Sequence, residues 1–146
     1  MANATATTRT SPVLDQIHAL LAAKRYSVSE TGPGMLRIQE LESGIVVQAV
    51  LSGEILYLSL LCMSVPEKSL TPKILRKMLS SENGISTSHF QLYDTGDGNV
   101  AITLANFCKL QEMGPDDEDD ILSCVSFLLA DVVHARDFIG GDLNAA

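Results

Sequence analysis

Apolar positions are densest in residues 44–63, GIVVQAVLSGEILYLSLLCM, and the rest of the chain is patterned around that stretch. Ser52-Gly53 divides it into two runs rich in Val, Ile, Leu and Tyr, which predicts a β-hairpin with a two-residue turn. With Leu51 opposite Glu54, alternation puts Ile45, Val47, Ala49 and Leu51 on one face with Glu54, Leu56, Leu58, Leu60 and Cys62 (face one). Val46, Gln48 and Val50 fall on the other with Ile55, Tyr57, Ser59, Leu61 and Met63 (face two). Face one is almost purely apolar and face two is mixed. That contrast predicts central strands with helices over face one, and a less apolar neighbour or a partner over face two. A transmembrane helix of this length is the competing reading. Glu54 and the Ser-Gly break oppose it, since a carboxylate near the bilayer centre costs roughly 2.5–3.5 kcal/mol.

Upstream, residues 1–10 are small, polar and aperiodic, and are expected to be disordered. Ser11-Pro12 supplies an N-cap followed by proline, and Val13, Leu14, Ile17, Leu20 and Leu21 follow at helical spacing to about residue 24. Residues 26–30 read as a short edge strand. Gly32-Pro33-Gly34 breaks the pattern, and residues 35–41 (MLRIQEL) alternate as a half-buried strand leading into the hairpin. Downstream, Thr71-Pro72 repeats the cap signature ahead of Ile74, Leu75, Met78 and Leu79, with Lys73, Arg76 and Lys77 on the wet side. Residues 89–93 and 100–105 read as a second hairpin, whose turn takes positive φ angles from Asp97-Gly98. After Met113-Gly114-Pro115, an acidic block (residues 116–120) opens a long helix, where carboxylates complement the helix dipole. Its stripe is Ile121, Leu122, Val125, Leu128, Leu129, Val132 and Val133. Phe127 lies off the stripe, beside Ser123, Ser126, Asp131 and His134, and is the apolar helix residue most suited to meet another chain. Gly140-Gly141 is expected to end the helix.

Composition narrows the function classes. A chain of 146 residues with 46% hydrophobic and 19% charged residues is globular and large enough for one sizeable core. A net charge of −8 disfavours nucleic acid and anionic lipid as partners. Cys62, Cys108 and Cys124 form neither a disulfide framework nor a zinc spacing, which fits a reducing cytoplasm, and the N-terminus has no signal-peptide core. His18, His89 and His134 are scattered, and no nucleophile elbow, phosphate loop or dinucleotide fingerprint is present. The turn DTGDGN fails as a calcium loop, because Gly96 and Ala105 occupy positions that need oxygen ligands. These absences lead to the expectation of a non-enzymatic protein without metal or cofactor.

The predicted order is helix, three-strand meander, short helix, hairpin and long C-terminal helix. It resembles the type III secretion class I (Tir chaperone-type) superfamily, including YbjN-like proteins. The likeness rests on residues 44–63, on ILRKMLSSENGISTSHFQLYDTGDGNVAITLA and on residues 116–138, with Leu79, Asn83, Phe90, Leu92, Asp97, Gly98, Val100 and Ile102 matching the superfamily's pattern. It implies a homodimer that binds an extended segment of another protein and has no cofactor. The fold expected is an α+β domain over residues 11–139 with an antiparallel sheet of about five strands. Helices 13–24 and 121–138 are to cover face one, and residues 140–146 are to form a loose tail. The function expected is a small acidic cytoplasmic chaperone or adaptor. Its dimer or partner surface is Val46, Val50, Ile55, Tyr57, Leu61 and Met63, with Phe127. Three alternatives remain open on the sequence. Another part of the chain, such as helix 72–80, covers face two; the fold serves small-ligand or regulatory binding, with a pocket between sheet and C-terminal helix; or an exposed low-pKa cysteine or a metal supports catalysis.

Overall fold

A computed structural model describes residues 12–145, so the expected N-terminal tail and the Ser11 cap lie outside the described residues. The elements are α1 (Pro12–Ala22), β1 (Tyr26–Gly32), β2 (Met35–Glu40), β3 (Val46–Ser52), β4 (Ile55–Pro66), a 3-10 turn (Glu67–Ser69), α2 (Pro72–Leu79), β5 (His89–Asp94), β6 (Asn99–Lys109) and α3 (Pro115–Ala145). The architecture is the expected α+β class. Its strands form an antiparallel sheet in the order β1-β2-β3-β4-β6-β5, six strands rather than about five. β1, expected as a short edge strand, lies at one edge and pairs with β2 from Tyr26↔Glu40 to Gly32↔Met35 through a bulge near Glu30.

Alternation decides which side chains are buried. On β2 and β3, Leu36, Ile38, Val47 and Ala49 are buried, and the register pairs Leu36 with Ala49 and Ile38 with Val47. Leu56, Leu58, Leu60 and Cys62 are buried along β4, all of them face-one residues. The connecting turn is displaced by one residue from the expected Ser52-Gly53. Gly53 takes the first turn position with φ +62° and Glu54 the second, the arrangement of a type II′ turn, which needs a positive φ only at its first central residue. The Glu54 carbonyl then accepts the Leu110 N–H at 2.7 Å.

Two compact units make up the chain: residues through Leu58 with Phe107–Ser123, and Ser59–Asn106 with the residues from Cys124 on. In the first, the buried side chains include Leu14, Ile17 and Leu21 of α1, Tyr26, Leu36, Ile38, Val47 and Ala49 of β1–β3, Leu110 and Ile121. The buried carboxylate of Asp117, in the first turn of α3, accepts the Gln111 N–H at 2.6 Å and so fixes the chain's entry into the helix. In the second, Leu60, Cys62, Val65, Ile74, Met78, Ile102, Leu104, Val125, Leu128, Val132, Ala135 and Ile139 are buried. Full burial of such a side chain contributes roughly 1.5–3 kcal/mol. Thr71 caps α2 as its sequence predicts, accepting the Ile74 N–H at 3.3 Å ahead of Pro72.

Several expectations are corrected. β6 runs to Lys109 rather than Ala105, with Asn106 donating its amide to the Cys124 carbonyl at 3.1 Å. In the β5–β6 turn, Gly96 and Gly98 take the positive φ angles and Asp97 does not. α3 does not stop at Gly140-Gly141 but continues to Ala145. Two helical glycines cost roughly 2 kcal/mol relative to alanine. Lys77 contacts this end of the helix: its Nζ lies 2.9 Å from Asp142, 3.3 Å from the Phe138 carbonyl and 4.2 Å from the Phe138 ring centroid. Lys77 is therefore not simply part of a solvated basic cluster. On α3, Val133 is exposed instead of belonging to the buried stripe, and Asp131 is buried instead of facing water.

Candidate functional site

The most exposed apolar side chains on strands of the first unit are on the face opposite its core. Met35 and Val50 are cross-strand partners on β2 and β3, and are 40% and 39% exposed. Tyr57 on β4 is 47% exposed and Phe107 on β6 is 59% exposed, with ring centroids 6.3 Å apart at 43°. Aromatic pairs at that separation retain a favourable quadrupole interaction while leaving their faces open to a partner. Val46 and Ile55, expected on the same surface, are half-buried. Single exposed apolar residues are ordinary, whereas paired ones on adjoining strands create a continuous apolar patch.

The remaining expected surface residues belong to the second unit. Leu61 is 51% exposed and Met63 half-buried on β4, while Phe127 is 43% exposed on α3. Among the seven, Val46, Val50, Ile55 and Tyr57 thus fall in one unit and Leu61, Met63 and Phe127 in the other, the last on a helix rather than a strand. Tyr57 and Leu61 stand open along β4, and the residues that α2 buries are Ile74 and Met78. Met35 and Phe107 were not among the expected surface residues. The alternation of MLRIQEL carries a signal for Met35, but Phe107 follows the point where the strand was expected to end.

Arg136 and Asp131 of the second unit make structural bonds. Arg136 donates from Nε to the Cys62 carbonyl at 3.0 Å and from Nη2 to the Leu61 carbonyl at 3.3 Å. Burial pushes the Cys62 thiol up to about 11, with the Arg136 charge pulling in the opposite direction. Such a thiol is protonated at neutral pH and is a poor nucleophile. Asp131 accepts from the Ser86 N–H and hydroxyl at 3.2 and 3.0 Å and from the Ser88 hydroxyl at 2.7 Å. It thereby pins the segment between α2 and β5. His134 stacks on Phe138, with centroids 5.9 Å apart, and its ring fills the space in front of Gly84. No group of three or more His, Cys, Asp or Glu side chains among the described residues could hold a metal. No described helix is long and apolar enough to cross a membrane.

No family model and no curated protein matches this sequence. Among solved structures, the fold matches the crystal structure of YbjN, "a putative transcription regulator from E. coli". The match has a TM-score of 0.63 and 10% sequence identity, covering 86% of this chain and 90% of that one. At that identity the likeness concerns the fold alone, and the chain has a YbjN-like fold.

Proposed function

We propose that the protein is a non-enzymatic protein-binding module, a chaperone or adaptor that acts in the cytoplasm as a homodimer and holds an apolar segment of a partner protein. The observation that carries this reading is the exposed cluster of Met35, Val50, Tyr57 and Phe107 on one strand face. Large aromatic residues dominate the energetics of protein interfaces, and an apolar patch on a sheet face gains most by covering it with side chains from another chain. The net charge of −8 supports a protein rather than a nucleic acid as partner. A regulatory role of the kind attached to YbjN would, on this reading, run through protein contact and not through DNA.

The test is Tyr57→Glu, which places a charge in the cluster without touching the buried face. Affinity capture from host lysate and light scattering would be run on the wild type and the variant, with circular dichroism to confirm folding. Loss of a stoichiometric partner, or of the dimer, from a folded variant supports the proposal. Identical partners and identical mass in both proteins overturn it.

A further inference from the structure

A different part of the second unit carries a feature that the exposed face does not explain. The 3-10 turn after β4 and the start of α2 meet the β5–β6 hairpin around a cleft of about 420 Å³, lined by Glu67, Leu70, Leu75, Leu92, Asp94 and Val100. We propose that this cleft binds a small organic cation: an amine with an apolar body, its ammonium group between Glu67 and Asp94 and its hydrocarbon against the leucines and Val100.

The lining is what selects this chemistry. Four aliphatic side chains form the walls, and the two ionisable side chains are both carboxylates. Among the described residues neither Glu67 nor Asp94 is engaged in an ion pair, and the one side-chain bond Asp94 makes is to the Gly96 N–H at 3.1 Å. Leu92 is 43% exposed, so the cleft holds apolar surface that a ligand can cover. The volume lies within the roughly 300–1,000 Å³ of small-molecule sites. An anion would be repelled here, and a neutral ligand would gain nothing from the two carboxylates, which are exposed.

The backbone segments that carry the two carboxylates are tied together. The Glu67 N–H donates to the Gly98 carbonyl at 3.0 Å, which ties the 3-10 turn to the hairpin loop. Asp94 is the register partner of Val100 at the base of the same loop. The loop itself is braced: the Thr95 hydroxyl bonds Asp97 and the Asn99 carbonyl, and the Asn99 N–H donates to Asp97 at 3.1 Å.

Titration of the full-length protein with hexylammonium, followed by the methyl NMR signals of Leu70, Leu75, Leu92 and Val100, tests the proposal. Saturable shifts confined to those methyls are expected, with 1-hexanol binding about tenfold more weakly and hexanoate not at all. Glu67→Gln and Asp94→Asn should each weaken hexylammonium by about two- to fivefold, the scale of an exposed ion pair. Both side chains are exposed, and the amide introduced by Asp94→Asn keeps an oxygen for the Gly96 N–H, so an otherwise unchanged spectrum is expected to confirm that the variants fold. Equal binding of hexanol and hexylammonium, indifference to both substitutions, shifts centred elsewhere, or no shift up to about 10 mM, the weak limit for so small a ligand, would overturn it.

Discussion

Replacing Asp131 with alanine tests whether one buried carboxylate organises the irregular segment between α2 and β5. Asp131 is 5% exposed and accepts three donors, the Ser86 N–H, the Ser86 hydroxyl and the Ser88 hydroxyl. A hydrogen bond to a charged group contributes about 1.5–3 kcal/mol, but Ser86 is exposed and its donors regain water once released. Three bonds at or below the lower end of that range give a loss of about 3 kcal/mol. That is a large share of the roughly 5–15 kcal/mol that holds a domain folded. For a chain of this size the corresponding fall in Tm is about 6–12 °C. Urea unfolding followed by circular dichroism measures the loss, and an unchanged m-value shows that the folded and unfolded states are otherwise comparable. Asp131→Asn, which keeps one acceptor oxygen, should lose about half as much. Adding Ser86→Ala and Ser88→Ala to Asp131→Ala should cost less than the separate effects combined, because the bonds being removed are shared. A loss below about 0.5 kcal/mol for Asp131→Ala would place it among ordinary surface substitutions and refute the reasoning.

Gly84 has φ +78°, and a Cβ there would clash with Nε2 of His134; Gly84→Ala should therefore cost the roughly 1–2 kcal/mol of a left-handed residue plus displacement of the ring, and His134→Ala should restore only the second part in denaturant melts. The Lys77 hydrogen bond holds the Asp142 carboxyl below its ordinary value of 3.8, so its stabilisation is complete above that pH and disappears as pH falls through the lower folded-state value; melts across this range should show the deficit of Lys77→Met shrinking with acid. The raised Cys62 thiol predicts slow alkylation in the native state at pH 8, by mass spectrometry, and a stability that falls as pH rises from 9 towards 11, where only the unfolded thiol ionises.

What the sequence shows well is whatever depends on alternation or local chemistry. Face one of β4 was readable because Leu56, Leu58, Leu60 and Cys62 repeat every second residue, a pattern that one shift of the turn by a single residue leaves intact. Thr71-Pro72 was readable because a cap acts within one helical turn. The misread positions depend on distant partners. Asp131 looks like a wet-face residue until the serines 45 and 43 positions earlier in the chain are brought to it. Gly140-Gly141 looks like a stop until Lys77 reaches across to Asp142 and Phe138. Phe107 was lost to the surface reading because Asn106, a poor strand former, masks the continuation of β6, and Asn106 is tolerated there through its bond to Cys124.

The same distinction explains why resemblance led to the fold and not to the function. The residues that carried it have structural tasks. Asn83 donates to the Met78 carbonyl at 2.7 Å and accepts the Ile85 N–H at 3.0 Å, closing α2. Phe90 and Leu92 are register partners of Leu104 and Ile102, and Asp97 and Gly98 shape the hairpin turn. Any chain that builds this hairpin after this helix needs residues of these kinds, whatever it binds. Met35, Val50, Tyr57 and Phe107, by contrast, contribute little to the core, since each is more than a third exposed. Substituting them should cost little stability, and on the proposed function it is there that binding would change.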